Sequence, residues 1–378
     1  MAMESGQTGT MIVEKRVFSM PELTTLSGKT IKNVRVGWEC YGTLNADKSN
    51  AILINHYFSG TSHAAGKYAE SDPLPGYWDA IIGPGKAIDT NKYFVFSSDT
   101  LVNLNARDKN VITTGPASLD PTTGKPYGLS FPIVTIADFV NVEKALVDSL
   151  GIIKLHAIAG PSMGGLQTFQ WAWAYPEMVE RIMPVISAGD ASPWLIAWLN
   201  VWATPVRMDP AWKNGNYYES GQPMTGLVES LKVVSLHANH WKWAEKSFGV
   251  SWAEAGKDPL AAHENRFKVE TALEGDARMR AAVADANHFL YLIKANQNFA
   301  SQGGIGLEGL KKIKAKVLLL HSPGDQVFPG EWTRTSALKL KEQGLEVEIA
   351  EIEGDFGHLD GVFSIAPHAE RIRAFLSR

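Results

Sequence analysis

The stretch "KLHAIAGPSMGGLQTFQWAWAYPEMV", residues 154–179, decides the fold. Its first seven residues, 154–160, are an apolar run of strand length, and residues 166–179 read as a helix. At the junction Ser162 sits two residues after Gly160 and two before Gly164, with Gly165 next. A serine between glycines is by itself a common turn. Between a strand and a helix it has the placement of a nucleophile elbow. The turn is so tight that side chains flanking the serine would clash, so small residues are needed on both sides. The strain holds Oγ clear of the backbone, and the first amides of the following helix favour negative charge there. A phosphate loop is the competing assignment. The spacing Gly160-x-x-x-Gly164-Gly165 fits neither the dinucleotide nor the Walker pattern, and "GPGK" at 83–86 lacks the Walker spacing as well.

Working outward, "NAILINHYF" (50–58), "KYFVFSSD" (92–99) and "ERIMPVISAG" (180–189) are further buried-strand runs. Residues 136–150 place Ile136, Phe139, Val140, Val142, Leu146, Val147 and Leu150 at helical spacing, and Gly151 follows as a stop signal. "MIVEKRVFSM" (11–20) and "IKNVRVGWECYG" (31–42) alternate like an antiparallel hairpin. The alternation of strand and helix predicts an α/β protein with a mostly parallel, doubly wound sheet. It stops near residue 190 and resumes with "AKVLLLHSPGD" (315–325), a helical segment at 331–343, "LEVEIAEIEG" (345–354) and a closing helix at 365–377. The intervening stretch is helix-like and holds seven of the twelve tryptophans between Trp194 and Trp252. The predicted organisation is a core of residues 1–189, an inserted helical lid of 190–305, and the rest of the core from 306 to 378. The alternative is that 190–305 is further core helix.

A nucleophilic serine needs a base, and the base needs an orienting acid. In this class of fold they follow the serine in the order acid, then histidine. Asp325 comes directly after the three leucines of "LLLHSPGD", and His358, in "GDFGHLDGVF", lies just past the strand at 345–352. Ser162, Asp325 and His358 are therefore the predicted catalytic set. Asp355 and Asp360 flank His358 too closely in sequence to share its site, His321 ends a strand and is expected to be packed, and His368 is expected on an exposed helix. The oxyanion needs two backbone donors. The amide of Met163, after the nucleophile, is one; that of Phe58, in the loop after the early strand, is assigned as the other.

Other features exclude more than they assert. His237 and His240 form an H-x-x-H, with His263 and Glu264 nearby, but neither has zinc-ligand spacing with an adjacent glutamate, so no metal is expected. The net charge of −4 suggests no nucleic-acid or anionic-membrane partner. The lone Cys40 permits no internal disulfide, "MAMESGQTGTMIVEKR" holds no signal-like apolar run, and no segment approaches the roughly 20 apolar residues of a membrane span. A cytoplasmic location is the expectation. The tryptophan-rich block serves either as packing or as an apolar pocket over the serine.

The sequence also resembles the homoserine O-acetyltransferase family of the α/β-hydrolase superfamily. The resemblance runs through "YGTLNADKSNAILINHYFSGTSHAAG" (41–66), "GYWDAIIGPGKAIDTNKYFV" (76–95), "TTGPASLDPTTGKPYGLSFPIVTIAD" (113–138), "GPSMGGLQ" (160–167), "DPAWKNGNYY" (209–218), "DANHFLYLIKA" (285–295) and Gly357–His358. It implies an α/β-hydrolase fold, a helical lid, a homodimer and a ping-pong acyl-enzyme mechanism, and it supports the same three catalytic residues. Three stretches depart from the family pattern. "LNVWA" (199–203) stands where an Asn-Glu-x-x-Arg run is usual, "GLVESL" (226–231) where Gly-Leu-x-x-Ala-Arg is usual, and "LVNLNARDKNVI" (101–112) replaces a Gly-Gly-Cys-rich turn. Ala203 and Leu231 thus take the places of arginines that would hold an amino-acid carboxylate. A buried carboxylate without a partner costs several kcal/mol. Arg207, Lys232 and Arg107 are the cations placed to compensate.

Two enzymatic functions follow. One is a serine carboxylic-ester hydrolase acting on small, short-acyl esters, with Tyr57, Trp194, Trp198, Trp202 and Leu231 as pocket residues and no cofactor. The tryptophans, spaced by four, serve equally as packing within the lid. The other is an acyltransferase with acetyl-CoA as cosubstrate and homoserine or another small hydroxyl compound as acceptor. A non-catalytic ligand-binding protein on the same scaffold is the third reading.

Overall fold

The computed structural model describes residues 11–190, 192–299 and 306–378. The first ten residues, part of the stretch searched above for a leader, lie outside the described residues, as do Ala191 and residues 300–305 at the two ends of the expected lid.

The chain opens with the antiparallel pair β1 (Arg16–Thr24) and β2 (Thr30–Tyr41). Then come β3 (Ala51–Ile54), a two-residue parallel pair of β4 (Ile82–Gly83) and β5 (Ile88–Asp89), and β6 (Phe94–Ser98). Helix α1 (Ile136–Ser149) follows, capped by Thr135, whose hydroxyl and amide exchange hydrogen bonds with Asp138. Next are β7 (Ala157–Pro161), α2 (Met163–Ala174) and β8 (Arg181–Val185). Helices α3 (Pro193–Met208), α4 (Met224–Ala238), α5 (Trp241–Ser247), α6 (Lys268–Val283), α7 (Ala286–Gln297) and α8 (Gly306–Leu310) all lie between β8 and β9 (Lys316–His321). The chain closes with α9 (Gly330–Glu342), β10 (Val347–Glu351), the short α10 (Asp360–Phe363) and α11 (Ala369–Leu376).

The main sheet has eight strands in the order β1-β2-β6-β3-β7-β8-β9-β10. From β6 to β10 every pairing is parallel; β1 and β2 join antiparallel at one edge. The central strands β3, β6, β7 and β8 are buried at every position, which is why they read as mostly apolar runs and not as alternating ones. Alternate residues still face opposite layers. Leu53, Val317 and Leu319 pack with α1, α2, α3, α4 and α7, whereas Ile52, Ile54, Leu318 and Leu320 pack with Trp78, Ile372 and Phe375 on the other face. Buried residues of the helices between β8 and β9, such as Leu199, Trp202, Leu227 and Phe289, belong to the first of these clusters.

Several boundaries differ from the sequence expectation, among them these two. The strand expected within 50–58, ending in a loop, stops at Ile54. Asn55 still donates to the Ala159 carbonyl at 2.8 Å, and beyond it the chain turns into the loop over the serine. The closing helix starts at Ala369 and not at 365, because Pro367 sits in a preceding 3₁₀ turn, Ala366–His368. No helix among the described residues is long and apolar enough to cross a membrane.

Candidate active site

The turn from β7 into α2 forces Ser162 to φ 57° and ψ −119°, a backbone conformation that L-residues seldom adopt. Its amide donates to the Val185 carbonyl at 2.8 Å, and its carbonyl accepts from Gly165 and Leu166 at 2.8 and 3.1 Å. The flanking glycines are dictated by crowding. A Cβ on Gly160 would lie 2.6 Å from the Asn55 carbonyl oxygen, and one on Gly164 would lie 2.2 Å from it. The end of β3 therefore presses directly on the elbow, and any larger residue would push the two apart.

Asp325 follows β9 by four residues. Its Oδ1 accepts from the amides of Val327 and Phe328, both at 2.8 Å, and its Oδ2 lies 2.8 Å from Nδ1 of His358. Nε2 of His358 lies 2.8 Å from Oγ of Ser162. With Nδ1–H donated to a carboxylate, Nε2 carries the lone pair facing the serine hydroxyl. All three side chains are buried, and the Phe328 ring stacks on that of His358 at 5.9 Å and 24°. Such an arrangement can take a proton from the serine and return it to a leaving group.

The rivals of these residues are engaged elsewhere. Asp355 pairs with Lys246, and the buried Asp360 accepts from the hydroxyls of Ser322 and Ser364. His321 is packed at the end of β9, and His368 is half-buried where an exposed position was expected. His240 caps α5, while His237 turns away from it and donates Nε2–H to the Gln326 carbonyl at 3.1 Å. Among the described residues no cluster of His, Cys, Asp and Glu could hold a metal.

Among the described residues, neither the Met163 nor the Phe58 amide donates to a protein acceptor. The loop carrying Phe58 is fixed from below. Nδ1 of His56 donates to the Tyr57 carbonyl at 2.7 Å, and its Nε2 accepts from the Thr100 amide and from Nδ2 of Asn103, both at 3.2 Å. Asn103 also donates to the Gly60 carbonyl, and Asn105 to that of Ser59. Burial holds His56 below the usual histidine range, which keeps it neutral and able to accept. Behind this loop lies a buried ion-pair cluster. Glu39 meets Lys15 at 2.8 Å, His63 at 3.0 Å and the Tyr68 hydroxyl at 2.7 Å, and Asp99 receives the Ser62 amide. Burial works to raise the Glu39 pKa, but the hydrogen bond from His63 and the Lys15 ammonium outweigh it and hold the carboxyl at about 2. Asn103, Asn105 and this cluster carried no sequence signal, since isolated asparagines in a loop are ordinary.

The expected pocket residues separate into two groups. Trp202 is buried, edge-on to Phe58 at 5.4 Å and to His237 at 5.6 Å. Trp198 stacks flat on His237 at 4.1 Å. Trp194, at the outer end of α3, is 54% exposed and only braces Trp198, so the spacing of four does not give all three rings one environment. Tyr57 packs edge-on against Tyr77. Ala203 and Leu231 are both 0% exposed. Of the cations expected to compensate, Arg207 is bound to Asn200, Lys232 to Glu229, and Arg107 approaches Asp285 at 3.5 Å. Arg280, which sequence reasoning overlooked, donates to Oγ of Ser235, one turn past Leu231 on α4, at 2.8 Å, and also pairs with Asp276 on its own helix at 3.5 Å. Burial pushes the Tyr57 phenol up, and the Arg280 guanidinium opposes that shift. A surface cavity of about 600 Å³ lies outside the acid loop, lined by His240, Lys242, Gly324 and Asp355, and does not include Ser162.

No protein-family model matches the chain. It is 40% identical over 337 residues to a homoserine O-acetyltransferase of Methanococcoides burtonii, an alignment that spans 88% of this chain and 67% of that one. The structure of esterase E22 aligns at 49% identity with a TM-score of 0.92, over 97% of this chain and all of that one. The homoserine O-acetyltransferase from Bacillus anthracis aligns at 37% identity, also with a TM-score of 0.92, over 97% and 98% of the two chains.

Proposed function

We propose, from the premise that this chain belongs to the homoserine O-acetyltransferase family of the α/β-hydrolase superfamily, that it is a serine carboxylic-ester hydrolase acting on small, short-acyl esters. The observation that carries this is the continuous hydrogen-bonded line Asp325–His358–Ser162, with 2.8 Å at each link. His358 takes the Ser162 proton as Oγ attacks the ester carbonyl. Asp325 holds the imidazole and stabilises its cation. The amides of Phe58 and Met163 receive the oxyanion. The alcohol leaves with the proton from His358, and water activated by the same nitrogen then releases the acid. No metal or cofactor is needed for these steps.

Hydrolysis in place of transfer is favoured by the alcohol side. Ala203 and Leu231 are fully buried and carry no charge, so an amino-acid carboxylate placed beside them would lack the usual partner. The similarity to esterase E22 supports the same direction. The second reading is an acyltransferase that takes its acyl group from acetyl-CoA and gives it to homoserine. The naming of relatives at 35–40% identity favours it. In either case the enzyme is read as a cytoplasmic homodimer whose inserted helices cover the serine.

Acyl-enzyme partitioning tests the choice. The enzyme is loaded with a chromogenic acetate ester and offered homoserine, with or without acetyl-CoA. Free acetate as the main product is the expected result. O-acetylhomoserine forming faster than acetate would replace the hydrolase with the transferase.

A further inference from the structure

His237, the penultimate residue of α4, is only 3% exposed, and no hydrogen-bond partner reaches its Nδ1 among the described residues. Its ring is fixed in orientation by Trp198, which lies flat against it, and by the edge contact with Trp202. That orientation aims Nε2 at the Gln326 carbonyl, 3.1 Å away. A carbonyl can only accept, so Nε2 carries the proton, and the buried Nδ1, with no acceptor among the described residues, leaves the ring neutral. Burial, the leading cause, supports this by holding the pKa at about 4.

Gln326 is the residue directly after Asp325. The next two residues, Val327 and Phe328, give both of their amides to Asp325 Oδ1. The acid is thus held by its own loop on one side, and that loop is held by His237 on the other. The same wall reaches the opposite side of the serine, since Trp202 also packs on Phe58. The helices between β8 and β9 therefore touch both the acid loop and the oxyanion loop through one aromatic cluster.

We infer that His237 is a positioning residue: its hydrogen bond to Gln326 sets the peptide that aims the Asp325 carboxylate at His358. This rests on the triad of the proposed function but not on the choice between water and an acceptor, because both routes use Asp325 in the same way. A misplacement of the order of 1 Å in such a group can cost roughly a hundredfold in rate.

Two variants separate this role from simple packing. His237→Phe keeps a ring against Trp198 but removes the donor. His237→Gln keeps a donor and removes the ring. With a chromogenic acetate ester, His237→Phe is expected to lower kcat roughly ten- to a hundredfold with KM little changed, and His237→Gln to retain most of the activity. The downfield proton resonance of the His358–Asp325 hydrogen bond should move in His237→Phe and stay in place in His237→Gln. The inference is overturned if His237→Phe behaves as the unsubstituted enzyme. It is equally overturned if His237→Gln is the more damaged of the two, or if the loss appears in KM with the resonance unmoved. Turnover that survives Ser162→Ala would instead sink the proposed function, and the proton resonance, which needs no substrate, would still decide the role of His237.

Discussion

Nε2 of His358 lies 2.8 Å from Oγ of Ser162, although 196 residues of chain separate them. The contact exists because β7 and β10 run parallel, so the turn after β7 and the segment after β10 both leave the sheet at the carboxyl ends of its strands, where ligands of such sheets bind. Replacing Ser162 with alanine should abolish the ester-derived acyl adduct in an intact mass spectrum and reduce kcat by roughly 10⁴-fold or more. Asp325→Asn should keep the fold but favour the wrong imidazole tautomer, with a loss of about 10⁴-fold. An adduct on the Ser162→Ala protein would place the nucleophile elsewhere.

Asn103 donates from one amide group to both Nε2 of His56 and the Gly60 carbonyl, so it closes the loop that presents the Phe58 amide. Asn103→Ala leaves two buried acceptors without that donor. Urea unfolding should show a loss of about 1–3 kcal/mol. If the loop's position matters for the oxyanion, kcat should fall further than a loss of folded protein accounts for, with KM changing less. A change in stability with kcat per folded molecule unaltered would remove the loop from the chemistry.

The sheet and the elbow were legible because each leaves a strict pattern. Strands buried on both faces are largely apolar, as in Ala51–Ile54 and the first three residues of Phe94–Ser98, and the strain at Ser162 admits only glycine where Asn55 presses in. Asp325 and His358 were legible through chain order and their positions just after late strands. What stayed hidden depends on how helices pack against one another. The H-x-x-H of His237 and His240 raised a metal question, yet the true contact of His237 is a backbone carbonyl 89 residues away. Arg280 gave no signal, because only the packing of α6 on α4 brings its guanidinium to Ser235. Trp194, Trp198 and Trp202 share one spacing, but only depth in the fold distinguishes the exposed first from the buried last.

Glu143, beneath the sheet on α1, is buried, and burial pushes its carboxyl up to about 8 against the opposing hydrogen bonds from Trp171 Nε1 at 2.6 Å and the Ser98 hydroxyl at 3.5 Å. The folded pKa lies above the unfolded one, so the native state keeps a proton that the unfolded chain releases. This group's contribution is full below the ordinary glutamate pKa and is lost as the pH rises to about 8. Unfolding measured at about pH 5 and about pH 8.5 should therefore show a decline that Glu143→Gln reduces, since the amide stays neutral at both. An identical decline in the variant would mean that Glu143 is ionised in the fold throughout.

Leu231 is fully enclosed on α4, one turn before the Ser235 that binds Arg280, so an arginine at 231 would stand near a guanidinium whose carboxylate partner, Asp276, is already engaged at 3.5 Å. Enlarging a closed position costs about 1–3 kcal/mol through overpacking, and a second nearby guanidinium adds repulsion unless an anion lies between them. Leu231→Arg should therefore lower the melting temperature and regain part of it when homoserine is added. The acyl-enzyme should also partition further toward O-acetylhomoserine, and Ala203→Arg in the same chain should extend the shift if both positions border the acceptor. Arg280→Gln in the Leu231→Arg background would show whether the carboxylate is held by one cation or two. Lower stability with unchanged partitioning and no response to homoserine would mean that α4 does not face the acceptor. The missing arginines would then carry no argument for hydrolysis over transfer.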